Sequence, residues 1–133
     1  INKQVSQITR KNSRIVCVFL EILNMVKLFH WKTHSYAQHK STDSLYEKLN
    51  DNIDKFIEVL LGKEQKRINI VEKKIKLIDT HTEKEFKSKI YEYREFLINM
   101  DKTFNKKKDT DLISIRDDIL VDINQFLYLM TFH

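Results

Sequence analysis

Imidazole and carboxylate side chains recur at helical spacing between Leu28 and Glu58, a stretch reading LFHWKTHSYAQHKSTDSLYEKLNDNIDKFIE. His39 and Asp43 are four residues apart, and so are Asp54 and Glu58. On a helix turning about 100° per residue, His39, Asp43, Glu47, Asn50, Asp54 and Glu58 share a sector of about 100°. Leu45, Leu49, Ile53, Phe56 and Leu60 centre about 120° or more away. One face of this helix is expected to pack a core, while the other presents nitrogen and oxygen donors of the kind that bind divalent metals.

Length limits what that second face can do alone. At about 1.5 Å per residue, Asp43 and Asp54 lie ~16 Å apart along the axis, and His39 and Asp54 ~22 Å apart. A metal with ligands at about 2 Å cannot span such a gap, so the row holds two half-sites. A twofold axis resolves this, because antiparallel copies of the helix bring the His39/Asp43 end of one beside the Asp54/Glu58 end of the other. The plainer alternative is a solvated acidic face whose carboxylates pair with Lys40, Lys48 and Lys55.

The same residues resemble a known family. His30-Trp31 ends one helix, His39-x-x-x-Asp43 opens the next, and Asp54-x-x-x-Glu58 follows eleven residues after Asp43. This is the signature of the Dps-type mini-ferritins (ferritin-like superfamily), here with a shorter turn that carries an additional histidine, His34. The chain also resembles uncharacterised ferritin-like proteins of large DNA viruses, whose AT-rich coding fits the abundance of Ile, Lys and Asn.

The resemblance implies an Fe(II)-oxidising (ferroxidase) site shared across a twofold dimer interface. His30, His39 and Asp43 would come from one chain, and Asp54 and Glu58 from its mate. Trp31, His34, Tyr36 and Tyr46 would wall the site and orient its ligands. The metal would be iron, with zinc or manganese able to take its place. A homodimer is the minimum assembly and a dodecameric shell the larger one, with iron storage and DNA protection as functions. The alternative is a ferritin-like structural or virion-packaged protein that oxidises little or no iron.

The elements that must position these residues follow from apolar spacing. Ile15, Phe19, Ile22, Leu23, Val26 and His30 recur at three and four, which predicts a first helix from about residue 8 or 12 to 34. Residues 35–38 would form a short turn, and a second helix would run to Leu61 with Gly62 as its stop. Residues 63–82, including the strand-like RINIV, are expected to form one long crossover between the second and third helices. Phe86, Ile90, Tyr93, Leu97, Met100 and Phe104 predict a third helix over Glu83–Phe104. The polar break NKKKDT would precede a fourth helix over Thr110–Thr131 carrying Leu112, Ile115, Ile119, Ile123, Phe126 and Met130 inward. Asp118 and Asp122 form a second candidate acid cluster, and Arg116 is expected to pair with an acid of a neighbouring helix. The expected fold is all-α, a ferritin-like four-helix bundle in a single domain of residues 1–133.

Composition narrows the class. Hydrophobic content of 41% with 32% charged residues describes a globular chain rather than a disordered one. One glycine and no proline leave few formers of tight hairpins. Cys17, the single cysteine, excludes an intrachain disulfide and fits a reducing, cytoplasmic location, with virion association if the source is viral. No apolar run approaches the roughly 18 residues a membrane span requires. A net charge of +5 permits contact with nucleic acid, for which the basic arm of residues 1–13 and its neighbour offer Lys3, Arg10, Lys11 and Arg14.

Overall fold

One short turn, one long non-helical connection and one link that opens as a 3-10 helix divide the chain into four helices. The computed structural model describes residues 5–132, so Lys3 of the basic arm lies outside the described residues. Helix α1 spans Gln7–Lys32, α2 Tyr36–Glu64, α3 Glu83–Ile98 and α4 Thr110–Leu129. Among the described residues there is no strand. The protein is an all-α four-helix bundle.

Three of the four helices open on a hydroxyl. Ser6, Ser35 and Thr82 accept hydrogen bonds from the N–H groups of Thr9, Gln38 and Glu85, each satisfying a donor that the first turn leaves free. The apolar stripes then close on one another through aromatic contacts. Phe19 of α1 meets Phe56 of α2 edge-on at 5.4 Å, Phe29 stacks on Phe86 of α3 at 4.1 Å, and Phe86 meets Phe126 of α4 at 5.8 Å. Such pairs add about 0.5–1.5 kcal/mol each beyond the area they bury.

Polar contacts fix the direction of each helix. The Asn12 amide donates to the Glu64 carboxylate, so the start of α1 lies beside the end of α2 and the two are antiparallel. Lys63 donates to Asp111 at 3.0 Å and Asn52 to Asp122 at 2.7 Å, which sets α4 antiparallel to α2. Residues 65–82 then run back along α1. The Val71 N–H donates to Ser13 Oγ at 2.9 Å, the Lys76 N–H to Glu21 at 3.3 Å, and Lys32 pairs with Asp79 at 2.6 Å. This full-length crossover returns the chain to the C-terminal end of α1, so α3 runs parallel to α2.

Several expected boundaries move. Helix α1 already begins at Gln7, so Arg10 and Lys11 belong to its first turns and not to an extended arm. Lys11 lies over the Phe104 ring at 4.9 Å, its ammonium committed to that face. The turn between α1 and α2 is Thr33–Ser35, two to three residues earlier than the expected 35–38. Gly62 is not the stop of α2. The helix passes through it, and Gln65, at φ 54°, takes the left-handed position that ends it. The RINIV segment alternates like a strand but has no neighbouring strand to pair with. Helix α3 ends at Ile98 and continues as a 3-10 turn, Asn99–Lys102, where α-helix to Phe104 was expected. Helix α4 likewise stops at Leu129 and not at Thr131.

Arg116 explains the break after α3. It is 5% exposed, and it donates to the Leu97 carbonyl at 2.7 Å, to Asp101 at 2.7 Å and to Asp117 at 2.8 Å. A buried guanidinium needs acceptors on several sides. Turning the chain tightly after Ile98 supplies a carbonyl and a carboxylate together.

Candidate functional site

The α1–α2 turn holds His30 and His39 against each other. His30 lies in the last turn of α1, inside the apolar stripe, and is 8% exposed; His39 lies in the first turns of α2 and is half-buried. Their rings stack with centroids 3.9 Å apart and planes 15° from parallel. Each ring is tied to the other residue's backbone. His30 Nδ1 lies 2.7 Å from the His39 carbonyl oxygen, and His39 Nδ1 lies 2.8 Å from the His30 carbonyl oxygen.

A carbonyl oxygen only accepts, so both Nδ1 atoms carry the proton. In the neutral imidazoles, both Nε2 atoms then hold the lone pair. Neither Nε2 has a hydrogen-bond partner among the described residues. The buried side-chain atoms that lack a partner there are Asn12 Oδ1 and Thr80 Oγ1, so His30 Nε2 reaches solvent. Metal-binding histidines characteristically have one nitrogen anchored by a carbonyl and the other free.

Thr42 completes the anchoring. Its hydroxyl is fully buried, donates to the Gln38 carbonyl at 2.7 Å and lies 3.1 Å from His30 Nδ1. Sequence reasoning missed it, although a signal was present. Thr42 falls within the apolar stripe of α2, where a hydroxyl must find a partner.

Within one chain, Trp31, His34, Tyr36 and Tyr46 stand apart from the imidazole anchoring. None hydrogen-bonds to either ring among the described residues. Trp31 is 67% exposed and Tyr36 73% exposed, and His34 is also exposed. Trp31 and Tyr46 instead flank the Lys27 ammonium, which lies 5.8 Å and 4.3 Å from their rings. Tyr36 carries Lys40 over its ring at 5.7 Å. The backbone anchors the imidazoles within the chain, because a tight helical hairpin brings two carbonyls within reach of the two rings.

The acids lie on the opposite, solvent side of α2, as the helical spacing predicts. Asp43, Glu47, Asp54 and Glu58 are all exposed, while Leu45, Leu49, Ile53, Phe56 and Leu60 are buried. The pairings of a plain solvated face are not formed among the described residues: Lys40 lies over Tyr36, and Lys48 donates to Gln125. No three His, Cys, Asp or Glu residues converge to hold a metal among the described residues of one chain. The imidazole pair and the Asp54/Glu58 pair therefore stand apart within a protomer. Asp122, of the second candidate cluster, is bonded to Asn52 and faces α2 without converging with Asp118 into a metal-holding group.

A four-helix bundle that anchors two imidazoles at one hairpin and displays exposed carboxylates along the adjoining helix is the class that fold and site define. Residues 30–130 match a family described as a family of unknown function (DUF5856), and the chain belongs to that family. The match begins at His30 and covers His39, Asp43, Asp54 and Glu58. No curated protein matches the chain, and no solved structure matches it. No helix among the described residues is long and apolar enough to cross a membrane.

Proposed function

We propose that the protein is a Dps-like, ferroxidase-type iron-binding protein that oxidises Fe(II) at a site assembled from two copies of the chain. The observation that carries this reading is the reciprocally anchored His30–His39 pair, whose Nε2 atoms are left free. The remaining donors, Asp54 and Glu58, lie too far along α2 to serve the same ion within a protomer. An antiparallel second copy of α2 supplies them. Fe(II) is the substrate, with dioxygen or peroxide as oxidant; the imidazoles hold Fe(II) and the carboxylates favour Fe(III). Asp43, one turn beyond His39, completes the donor set directly or through water. Zinc or manganese is expected to compete for the same donors. Assembly beyond the dimer into a storage shell, and cytoplasmic or virion location, belong to the same proposal.

Mixing two inactive variants tests it. His39→Ala and Glu58→Ala homodimers should each lose saturable Fe(II) oxidation, followed by ultraviolet absorbance after anaerobic loading. After co-refolding, half of the dimers are mixed, and each of those holds one intact site. About a quarter of wild-type capacity should return. If no activity returns while the mixed dimers demonstrably form, the site is not shared between chains.

A second reading keeps the dimer face without the chemistry: a ferritin-like structural protein that contacts nucleic acid through its basic surfaces. The guanidinium groups of Arg10 and Arg14, which have no side-chain partner among the described residues, favour it. It predicts normal dimerisation, no saturable oxidation by the wild type, and a salt-dependent DNA shift.

A further inference from the structure

The crossover does more than return the chain to the other end of the bundle. Where it lies along the first half of α1 it forms one wall of a cleft of about 320 Å³, lined by Arg10, Arg14, Cys17 and Glu21 on one side and Glu72, Lys74 and Lys76 on the other. Two backbone clamps hold that wall in place, Val71 N–H on Ser13 and Lys76 N–H on Glu21. Four cationic side chains thus face a shared space from two separate segments. Among the described residues none of the four makes an ion pair or a side-chain hydrogen bond. Elsewhere Lys32, Lys63, Lys89 and Arg116 all pair with carboxylates. Glu21, the acid of the α1 wall, is engaged by the Lys76 backbone.

We propose that this cleft is a binding site for a small phosphate-bearing anion, of the diphosphate or triphosphate class. Two guanidinium forks match phosphate oxygens in pairs, and two ammonium groups add charge without fixed geometry. The volume is at the small end of the roughly 300–1,000 Å³ of small-molecule sites. Arg10 and Arg14 are one turn apart, about 6 Å along the axis. That is a local cluster and not a stripe tracking the phosphates of a duplex, whose binding draws on many contacts spread along the backbone. A short polyphosphate fits both the compactness and the excess of positive charge.

Cys17 provides an internal reporter, since its half-buried thiol lies in the wall with Sγ 3.8 Å from the Glu72 carbonyl. Inorganic triphosphate titrated calorimetrically into the full chain should bind saturably and slow alkylation of Cys17 by iodoacetamide. The double variant Arg14→Gln/Lys76→Gln changes two exposed side chains and should weaken binding about tenfold or more and abolish the protection. The double variant Lys84→Gln/Lys87→Gln removes as much charge from the start of α3, at the opposite end of the bundle, and should leave both unchanged. The proposal is overturned by absence of saturable binding, by equal slowing in sodium chloride of matched ionic strength, or by undiminished binding in the Arg14→Gln/Lys76→Gln variant. It is also overturned if duplex DNA binds through Arg14 and Lys76 while triphosphate does not.

Discussion

His30 and His39 illustrate how much of a site's chemistry can reside in the main chain. The donors of the proposed site are imidazoles, but carbonyl oxygens and one buried hydroxyl decide which nitrogen is left free. Thr42→Val keeps the shape and removes that hydroxyl. It should weaken Zn(II) affinity, measured calorimetrically, about tenfold while leaving the unfolding midpoint nearly unchanged; unaltered affinity would mean the carbonyl alone orients His30. A different carboxylate carries a pH signature. Burial holds the Asp122 carboxyl above its usual range, and the hydrogen bond from Asn52 opposes this without cancelling it. An acid raised in the folded state disfavours folding once pH rises through the ordinary carboxylate range. Asp122→Asn should therefore raise the urea midpoint at neutral pH and leave it nearly unchanged in acid, where both states are protonated. A lower midpoint at neutral pH contradicts this.

Helix order and inward faces follow from apolar spacing, because burial of a stripe every three or four residues admits few alternatives. Ends are governed by local partners that spacing does not encode. Gly62 reads as a stop, yet Gln65 takes the left-handed turn and the glycine remains helical. A Cβ added at Gly62 meets nothing within 4 Å. Gly62→Ala should stabilise the protein by about 0.5–1 kcal/mol in urea unfolding; destabilisation would place the true helix end at Gly62 after all. The end of α3 was illegible for a related reason. Phe104 continues the stripe, but the needs of buried Arg116 bend the chain after Ile98. In the candidate site, residue types and the outward acid row were legible from spacing. Thr42 and the paired carbonyls were not, since backbone acceptors leave no trace in side-chain pattern. Tyr36 and Trp31 read as site walls because aromatics commonly wall pockets, whereas here they lie on the outer surface of a single chain.

At the scale of the molecule, the bundle consists of two helical hairpins. Helices α1 and α2 close through the histidine turn, and α3 and α4 close through Arg116. The hairpins meet along α2 and α4, where Lys63, Asn52 and Lys48 reach across to Asp111, Asp122 and Gln125. Exposed carboxylates on one flank of α2 and the imidazole turn at its start leave the proposed interface on the side away from α4.

The exposed crossover has a consequence for how the polypeptide can be divided. Lys66, Arg67, Lys73, Lys74 and Lys76 are all solvent-facing, in a stretch without helix or strand. Brief trypsin treatment should sever the chain there, leaving two fragments that co-elute in gel filtration and retain helical circular dichroism. Fragments that separate would show that continuity of the peptide, and not hairpin docking, keeps the halves together. If they stay joined, the protein can be produced from two half-genes, and each half can be exchanged or labelled independently before reassembly.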